Sequence, residues 1–300
     1  MIDLKVIKGQ VQKILAKLQE KNVDDVFADI RKELSVEEGK SSRGTSISVI
    51  RMIGEEIGKY GQKHPDAVMS LLEKLWQTGG REERFCAGHA FGDMGKVHYQ
   101  RVLPVMYVYL ADVDWETLEA MAWGVGKIVS AHPAEVIPIL KEWAEDRNRW
   151  VRKSVSHAMV ILLNRTKKAG LDNIMSVMDI LIKDDDEEVR KSIGFVLRQV
   201  SRLDPQCSAA FFDKWVKEED QYIRWNIANG ARNSGKEVLP VLKELAGDKR
   251  KFVRRASASA LKDIARKHNE IAGIIAEWQN DPDEGVREVA AAALSYVKKK

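Results

Sequence analysis

Three hundred residues, 44% hydrophobic and 31% charged, describe a globular chain rather than a disordered or membrane-embedded one. No run approaches the roughly 18 apolar residues of a spanning helix, and the formal net charge of +4 is too small to name a polyanionic partner by itself. Only Cys86 and Cys207 occur, far apart and without metal-type spacing, which excludes a disulfide framework and suits a reducing cytoplasm.

The N-terminus, M-I-D-L-K-V-I-K, carries an early acid and no apolar core, so no signal peptide is expected. Residues 4–34 are predicted to form two capping helices ahead of the polar stretch 35–44, and residues 45–61 a first inner-type helix. His64-Pro65, His132-Pro133 and Asp204-Pro205 mark starts of outer helices, with proline in the tolerated first turn. Thr78-Gly79-Gly80 and Lys168-Ala169-Gly170 read as turns. No alternating β-branched run appears, so the chain is predicted all-α.

An internal repeat sets the architecture. E-V-I-P-I-L-K-E-W-A-E-D begins at Glu135 and E-V-L-P-V-L-K-E-L-A-G-D at Glu237; 237 − 135 = 102, or three periods of 34. A weaker copy, R-V-L-P-V-M, begins at Arg101. Val151-Arg152, Val189-Arg190, Ile223-Arg224, Val253-Arg254 and Val286-Arg287 each follow a polar turn and open a helix rich in small residues. Stepping back by 33 from Val151 reaches Leu118-Glu119, then Phe85-Cys86. Paired helices at this period predict an α-solenoid of HEAT-like repeats, one continuous array over 1–300 whose inner helices line a concave face. Within it, 1–44 would cap the array and 233–300 would add further repeats, closed by the tail V-K-K-K.

Bases cluster where inner helices begin: Arg147, Arg149, Arg152 and Lys153, then Arg190 and Lys191, then Lys249, Arg250, Lys251, Arg254 and Arg255. Arg198 and Arg202 continue one of these faces, while acids gather on outer helices and turns. Such a basic lining suits phosphates, because each Lys or Arg that neutralises one releases a counterion. The repeat arginines have an alternative role, pairing with turn aspartates; the extra bases Arg149, Lys153, Lys191, Lys251 and Arg255 fit that role less well. Trp76, Trp143, Trp215 and Trp278 fall late in outer helices and are predicted to pack between repeats. Trp115, Trp123, Trp150 and Trp225 sit in inner helices, where either core packing or nucleic-acid contact is open to them.

Several segments together resemble the HEAT-like bacterial DNA alkylation repair glycosylases, the AlkD/AlkC group. V-R-K-S-I-G-F-V-L-R, from Val189 to Arg198, resembles that family's I-G-W-V-L-R helix, and W-E-T-L-E from Trp115 resembles its W-D-x-x-D segment. R-E-E-R-F-C-A from Arg81 and H-P-A-E-V-I-P-I-L-K-E-W from His132 follow in order, so that 45–232 would form the glycosylase-like repeats. The resemblance implies a concave face that holds duplex DNA with alkylated bases, and excision of cationic N3- or N7-alkylated purines by a monomer needing neither cofactor nor metal.

It places Glu119 as the catalytic carboxylate and Trp115 as an aromatic beside the lesion. Phe195 stands for a tryptophan on the damaged nucleotide, and Arg152 or Lys153 for a backbone contact. Glu119 lengthens the family's aspartate by one methylene, and Phe195 offers less stacking area than tryptophan. DNA contacts are expected from Arg149, Arg152, Lys153, Arg190, Lys191, Arg198, Trp123, Trp150, Lys251 and Arg254. Two other classes stay open: a non-catalytic HEAT module that binds DNA, and a protein-interaction scaffold.

Overall fold

The computed structural model describes residues 4–19, 22–34, 47–111 and 115–295, and among them there are helices, turns and no strand. The polar stretch 35–44 and the V-K-K-K tail lie outside the described residues. The chain divides into two compact units, Met1–Leu162 and Leu163–Lys300.

In the first unit, α1 (Leu4–Ala16) packs on α3 (Ile47–Gly61), and α2 (Val23–Leu34) on α4 (Pro65–Thr78). The capping pair is amphipathic: Val26, Ile30 and Leu34 recur every fourth residue of α2 and are buried, while its acids and bases face out. Gln12 of α1 donates to Glu56 of α3 at 2.8 Å.

α5 (Arg81–Leu110) serves as an inner helix and then an outer one, because His98 leaves the helical region at φ −118°, ψ 40° and bends the chain. The R-V-L-P-V-M copy is the half beyond this bend. α6 (Trp115–Ala131), α7 (Pro133–Ala144) and α8 (Arg149–Thr166) complete the unit's helices, α8 running on into the second unit. The His-Pro starts are confirmed, with Pro65 and Pro133 opening α4 and α7. One hydrogen bond recurs at the repeat period: the His98 ring donates to Gln62 O at 3.0 Å and the His132 ring to Lys96 O at 2.7 Å. At Gly92 and Gly124, α5 and α6 touch backbone to backbone; a Cβ on Gly92 would lie 2.5 Å from the Gly124 Cα.

The second unit holds α9 (Leu171–Leu181), α10 (Glu187–Leu203), α11 (Pro205–Trp215), α12 (Gln221–Gly230), α13 (Leu239–Ala246), α14 (Lys251–Ala265), α15 (Ile271–Glu277) and α16 (Glu284–Leu294). Its inner helices stack in succession, α10 on α12, α12 on α14, and α14 on α16. Trp76, Trp143, Trp215 and Trp278 are all buried, as their outer-helix positions predict. No helix among the described residues is long and apolar enough to cross a membrane.

The repeating turn explains the Asp…Val-Arg pattern. Asp186, Asp220 and Asp283 cap α10, α12 and α16 by accepting backbone N–H groups of the first turn. The valine or isoleucine that follows is buried, and in every such turn but that of Arg190 the next arginine folds back. Nη1 of Arg152 donates to Asp146 O at 2.9 Å, of Arg254 to Asp248 O at 3.0 Å, and of Arg287 to Asp281 O at 2.7 Å. Arg224 Nε donates to Glu218 O at 2.8 Å. These arginines tie down turn carbonyls that would otherwise lack partners.

Arg224 also reaches the next repeat, where Nη1 meets Asp248 Oδ2 at 3.1 Å, and Arg250 grips the same carboxylate with Nε at 2.8 Å and Nη2 at 2.7 Å. Burial would raise the Asp248 pKa, but the Arg250 hydrogen bonds and the charges of Arg250 and Arg224 outweigh it and hold it at about 2. A depressed carboxyl stabilises the fold above its unfolded pKa of about 3.9, and that contribution is lost as pH falls toward 2. Asp248→Asn is therefore expected to be less stable than the parent at pH 6 and to converge on it between about pH 4 and 2. Thermal melts across that range check this; profiles that stay parallel would contradict it.

Candidate functional site

Steps of 34 along the inner helices of the first unit align three layers of side chains. The first is Arg51, Phe85, Glu119 and Lys153; the second Glu55, His89, Trp123 and His157; the third Lys59, Asp93, Lys127 and Ile161. Along α6, Glu119, Trp123 and Lys127 sit at i, i+4 and i+8, so they share one face. Exposure falls in that order: Glu119 is exposed, Trp123 half-buried and Lys127 buried. The face therefore has a rim, a wall and a floor.

The floor is ionic. Lys127 Nζ donates to Asp93 Oδ2 at 2.5 Å and to Glu55 Oε1 at 3.1 Å, joining α6, α5 and α3 through one ammonium. Lys96 holds the other Asp93 oxygen. Asp93 and Lys127 are each 2% exposed. Burial alone would raise the Asp93 pKa; Lys127, by charge and hydrogen bond, and Lys96 lower it, so the carboxylate stays ionised.

The wall is aromatic. The Trp123 ring is covered by the Arg51 guanidinium at 4.9 Å and meets the His89 ring edge-on at 6.2 Å, and the Phe85 ring lies 5.1 Å from that of His89. Burial pushes the His89 pKa down to about 3, with Lys127 and Arg51 adding to it. His157 falls to about 4 through burial and Lys153. Both imidazoles are neutral at pH 7, and neither supplies a proton there.

At the rim, the Glu119 carboxylate makes no hydrogen bond or ion pair among the described residues. Arg152, which opens the next inner helix, is turned onto the carbonyls of Asp146 and Arg147. Lys153, in the Glu119 layer, lies 5.3 Å from the Trp150 ring, and Arg149 covers that ring at 4.7 Å. The backbone of Trp115 opens α6, but its side chain lies outside the described residues. Among the described residues no three His, Cys, Asp or Glu side chains gather as a metal site.

In the second unit, Phe195 is 43% exposed on α10, and Arg198 lies over it at 5.8 Å. Burial, and then the neighbouring Arg232, lower the Arg198 pKa; arginine nonetheless stays charged. Lys191 pairs with Glu187 at 3.0 Å and Glu188 at 2.9 Å on its own helix. Arg254 is engaged by the Asp248 and Lys249 carbonyls and by Glu288 at 3.2 Å, while Lys251 is exposed. Arg152 and Arg254 are thus built into turns.

Reading the sequence missed Arg51, Glu55, His89, Asp93 and Lys127. A signal was present, since Lys59, Asp93 and Lys127 alternate in sign at the repeat period of 34, and Gly58, Gly92 and Gly126 run beside them. Stepping back by 33 rather than 34 from Val151 passes beside that layer.

The model of a family described as DNA alkylation repair enzyme matches residues 11–233, and that of HEAT repeats matches 208–295. The crystal structure of AlkD2 from Streptococcus mutans is similar with a TM-score of 0.60 at 20% identity, covering 71% of this chain and 99% of that one. At that identity the likeness speaks to the fold. The archaeal HEAT-like repeats protein from Thermococcus onnurineus NA1 aligns at a TM-score of 0.37 and 13% identity, over 76% of this chain and 97% of its own. No curated protein matches the sequence.

Proposed function

Because this chain belongs to the DNA alkylation repair enzyme family, we propose that it binds duplex DNA and excises cationic N3- or N7-alkylated purines, with Glu119 as the group that stabilises charge in the transition state. The observation that carries this reading is the Glu119 carboxylate, exposed and without a partner among the described residues, in a rim layer whose other members are Arg51, Phe85 and Lys153. A structural glutamate would be expected to use one of those cations.

The chemistry follows from charge. An N3- or N7-alkylated purine is already cationic and leaves without being protonated, which fits a face whose imidazoles are neutral. As the glycosidic bond breaks, positive charge develops at C1′ of the sugar. A carboxylate placed against that carbon stabilises it and orients the attacking water, the electrostatic contribution being the largest. Arg149 and Lys153 in the first unit, and Lys191, Arg198 and Lys251 in the second, are assigned to backbone phosphates, with Trp150 and Phe195 as apolar contacts to sugar or base.

Incubation with duplex DNA carrying N7-methylguanine tests the reading directly, and release of free methylated base is the expected result. Glu119 and Phe195, standing where the family carries aspartate and tryptophan, favour a second reading, a DNA-binding module without excision; affinity for the duplex with no released base would select it. Binding has its own test. Lys153→Glu is expected to weaken duplex affinity and to flatten the dependence of log K on log salt by about one unit for each phosphate no longer neutralised. Lys191→Glu should do the same, since its exposed ion pairs are worth only about 0–1 kcal/mol and yield readily to a phosphate. Unchanged affinity and slope, with an intact helical spectrum, would count against these faces as the phosphate track.

A further inference from the structure

The first turns of α10, α12 and α14 enclose a cavity of about 220 Å³ lined by Glu187, Arg190, Lys191, Tyr222, Trp225 and Phe252. That is smaller than a drug-sized site and suits one planar ring system. Three of the six lining side chains are aromatic, and Phe252 is 40% exposed. Phe252 lies beyond residues 11–233, so the cavity exists only because the C-terminal repeats complete it.

Arg190 behaves unlike the other repeat arginines. Arg152, Arg224, Arg254 and Arg287 turn back onto carbonyls of their own turns. The Arg190 guanidinium instead lies 3.7 Å from the centre of the Tyr222 ring, and its Nη1 is buried without a hydrogen-bond partner. Leaving a buried donor unpaired is costly, so it marks a place for an acceptor. The guest must therefore be flat, to lie against indole and phenyl, and must bring an acceptor oxygen or nitrogen to Arg190. A cationic guest is disfavoured, because Arg190 already occupies the Tyr222 face and the one lining carboxylate, Glu187, is paired with Lys191. Outside the cavity, Lys251 and Arg255 on α14 are exposed and make no ion pair among the described residues.

We propose that this cavity takes a single unpaired nucleotide of a nucleic-acid strand. The base stacks on Trp225 and Phe252, an acceptor of the base or its phosphate meets Arg190 Nη1, and flanking phosphates lie on Lys251 and Arg255. Stacking platforms with cations along the backbone are how proteins hold unpaired strands, each base contributing through its π-face rather than its sequence. The inference rests on the DNA-binding part of the reading above and not on base excision. It gives the extension a task of its own: favouring DNA in which one nucleotide is already out of the stack.

The test uses the full chain and two labelled duplexes, one fully paired and one carrying a single bulged 2-aminopurine. Wild type is expected to bind the bulged duplex more tightly and to quench the 2-aminopurine, since stacking on indole does so. Phe252→Ala, at an exposed position, should lose roughly 5- to 100-fold affinity for the bulged duplex while leaving the paired one unchanged. Arg190→Lys, which keeps the charge but removes the planar fork, should shift in the same direction. Equal affinity of wild type for both duplexes, or equal loss on both in Phe252→Ala, overturns the proposal while the DNA-binding reading stands. Failure to bind either duplex removes both. Quenching of free 2-aminopurine deoxynucleoside monophosphate, dependent on Phe252 but without any bulge preference, would make the cavity a free-nucleotide site and refute its assignment to a strand.

Discussion

Glu119→Gln is expected to release alkylated base about 10²–10³ times more slowly than the parent, the usual consequence of removing one well-placed electrostatic group from a transition state. The amide keeps the size of the side chain and its hydrogen-bonding atoms, so the substitution isolates the charge. Duplex affinity should stay equal or rise slightly, because a negative charge facing phosphates has gone. Thermal stability should also hold, since Glu119 is exposed and has no partner among the described residues. Single-turnover release from an N7-methylguanine duplex, with binding and melting measured on the same preparations, separates these effects. If the parent releases base and the variant keeps pace with it, Glu119 is not the catalytic carboxylate. A lowered melting temperature with unchanged release would make it a structural acid.

The second large effect belongs to the floor beneath that face. Asp93→Ala leaves the Lys127 ammonium buried with only the more distant Glu55 for compensation. Breaking a buried pair from one side typically costs about 3–5 kcal/mol, because an uncompensated charge remains. For a unit of this size that corresponds to a melting temperature lower by on the order of 10 °C. Lys127→Met, which strands Asp93 with Lys96, should cost a similar amount. The double variant Asp93→Ala/Lys127→Met is expected to be destabilised much less than the sum, since the charges it leaves unpaired, Lys96 and Glu55, are part-exposed rather than buried. Additive effects would show that the two groups act independently.

The same pair predicts a response to pH. Lys127 and Lys96 hold the Asp93 pKa below its ordinary value. Its contribution to stability is thus complete above about pH 4 and disappears as pH falls through the lowered folded pKa. The parent should lose stability in acid more steeply than Asp93→Asn.

Much of the architecture was legible because helices carry their own punctuation. Proline after His64, His132 and Asp204 opened α4, α7 and α11 where local geometry alone would place a helix start. The duplicated E-V-[IL]-P motif and the Val-Arg pairs disclosed the repeat, because a buried valine and a turn-capping arginine are demanded again in every unit. The bend at His98 was not legible: nothing local announces that one helical run will serve as inner and then outer helix. That assignment depends on what each half packs against.

By itself, then, the sequence determined the helical class, the repeat period, the outer-helix tryptophans and the candidacy of Glu119, all of which rest on local spacing or on short motifs. Only the tertiary structure decided which bases are tied into the scaffold. Arg152 and Arg254 look identical to phosphate contacts in the sequence, yet their guanidiniums are engaged by turn carbonyls five and six residues away. Arg190 obeys the same pattern in sequence and is instead laid on Tyr222, an aromatic supplied by the next inner helix. Lys127 reads as one more surface base until α5 and α3 close over it and make Asp93 and Glu55 its partners. The physical reason is common to all three. Whether a charged side chain faces solvent, a carbonyl or a ring is set by what the folded chain brings beside it, across a turn for Arg152 and Arg254 and across repeats for Arg190 and Lys127, and by the desolvation that those neighbours impose.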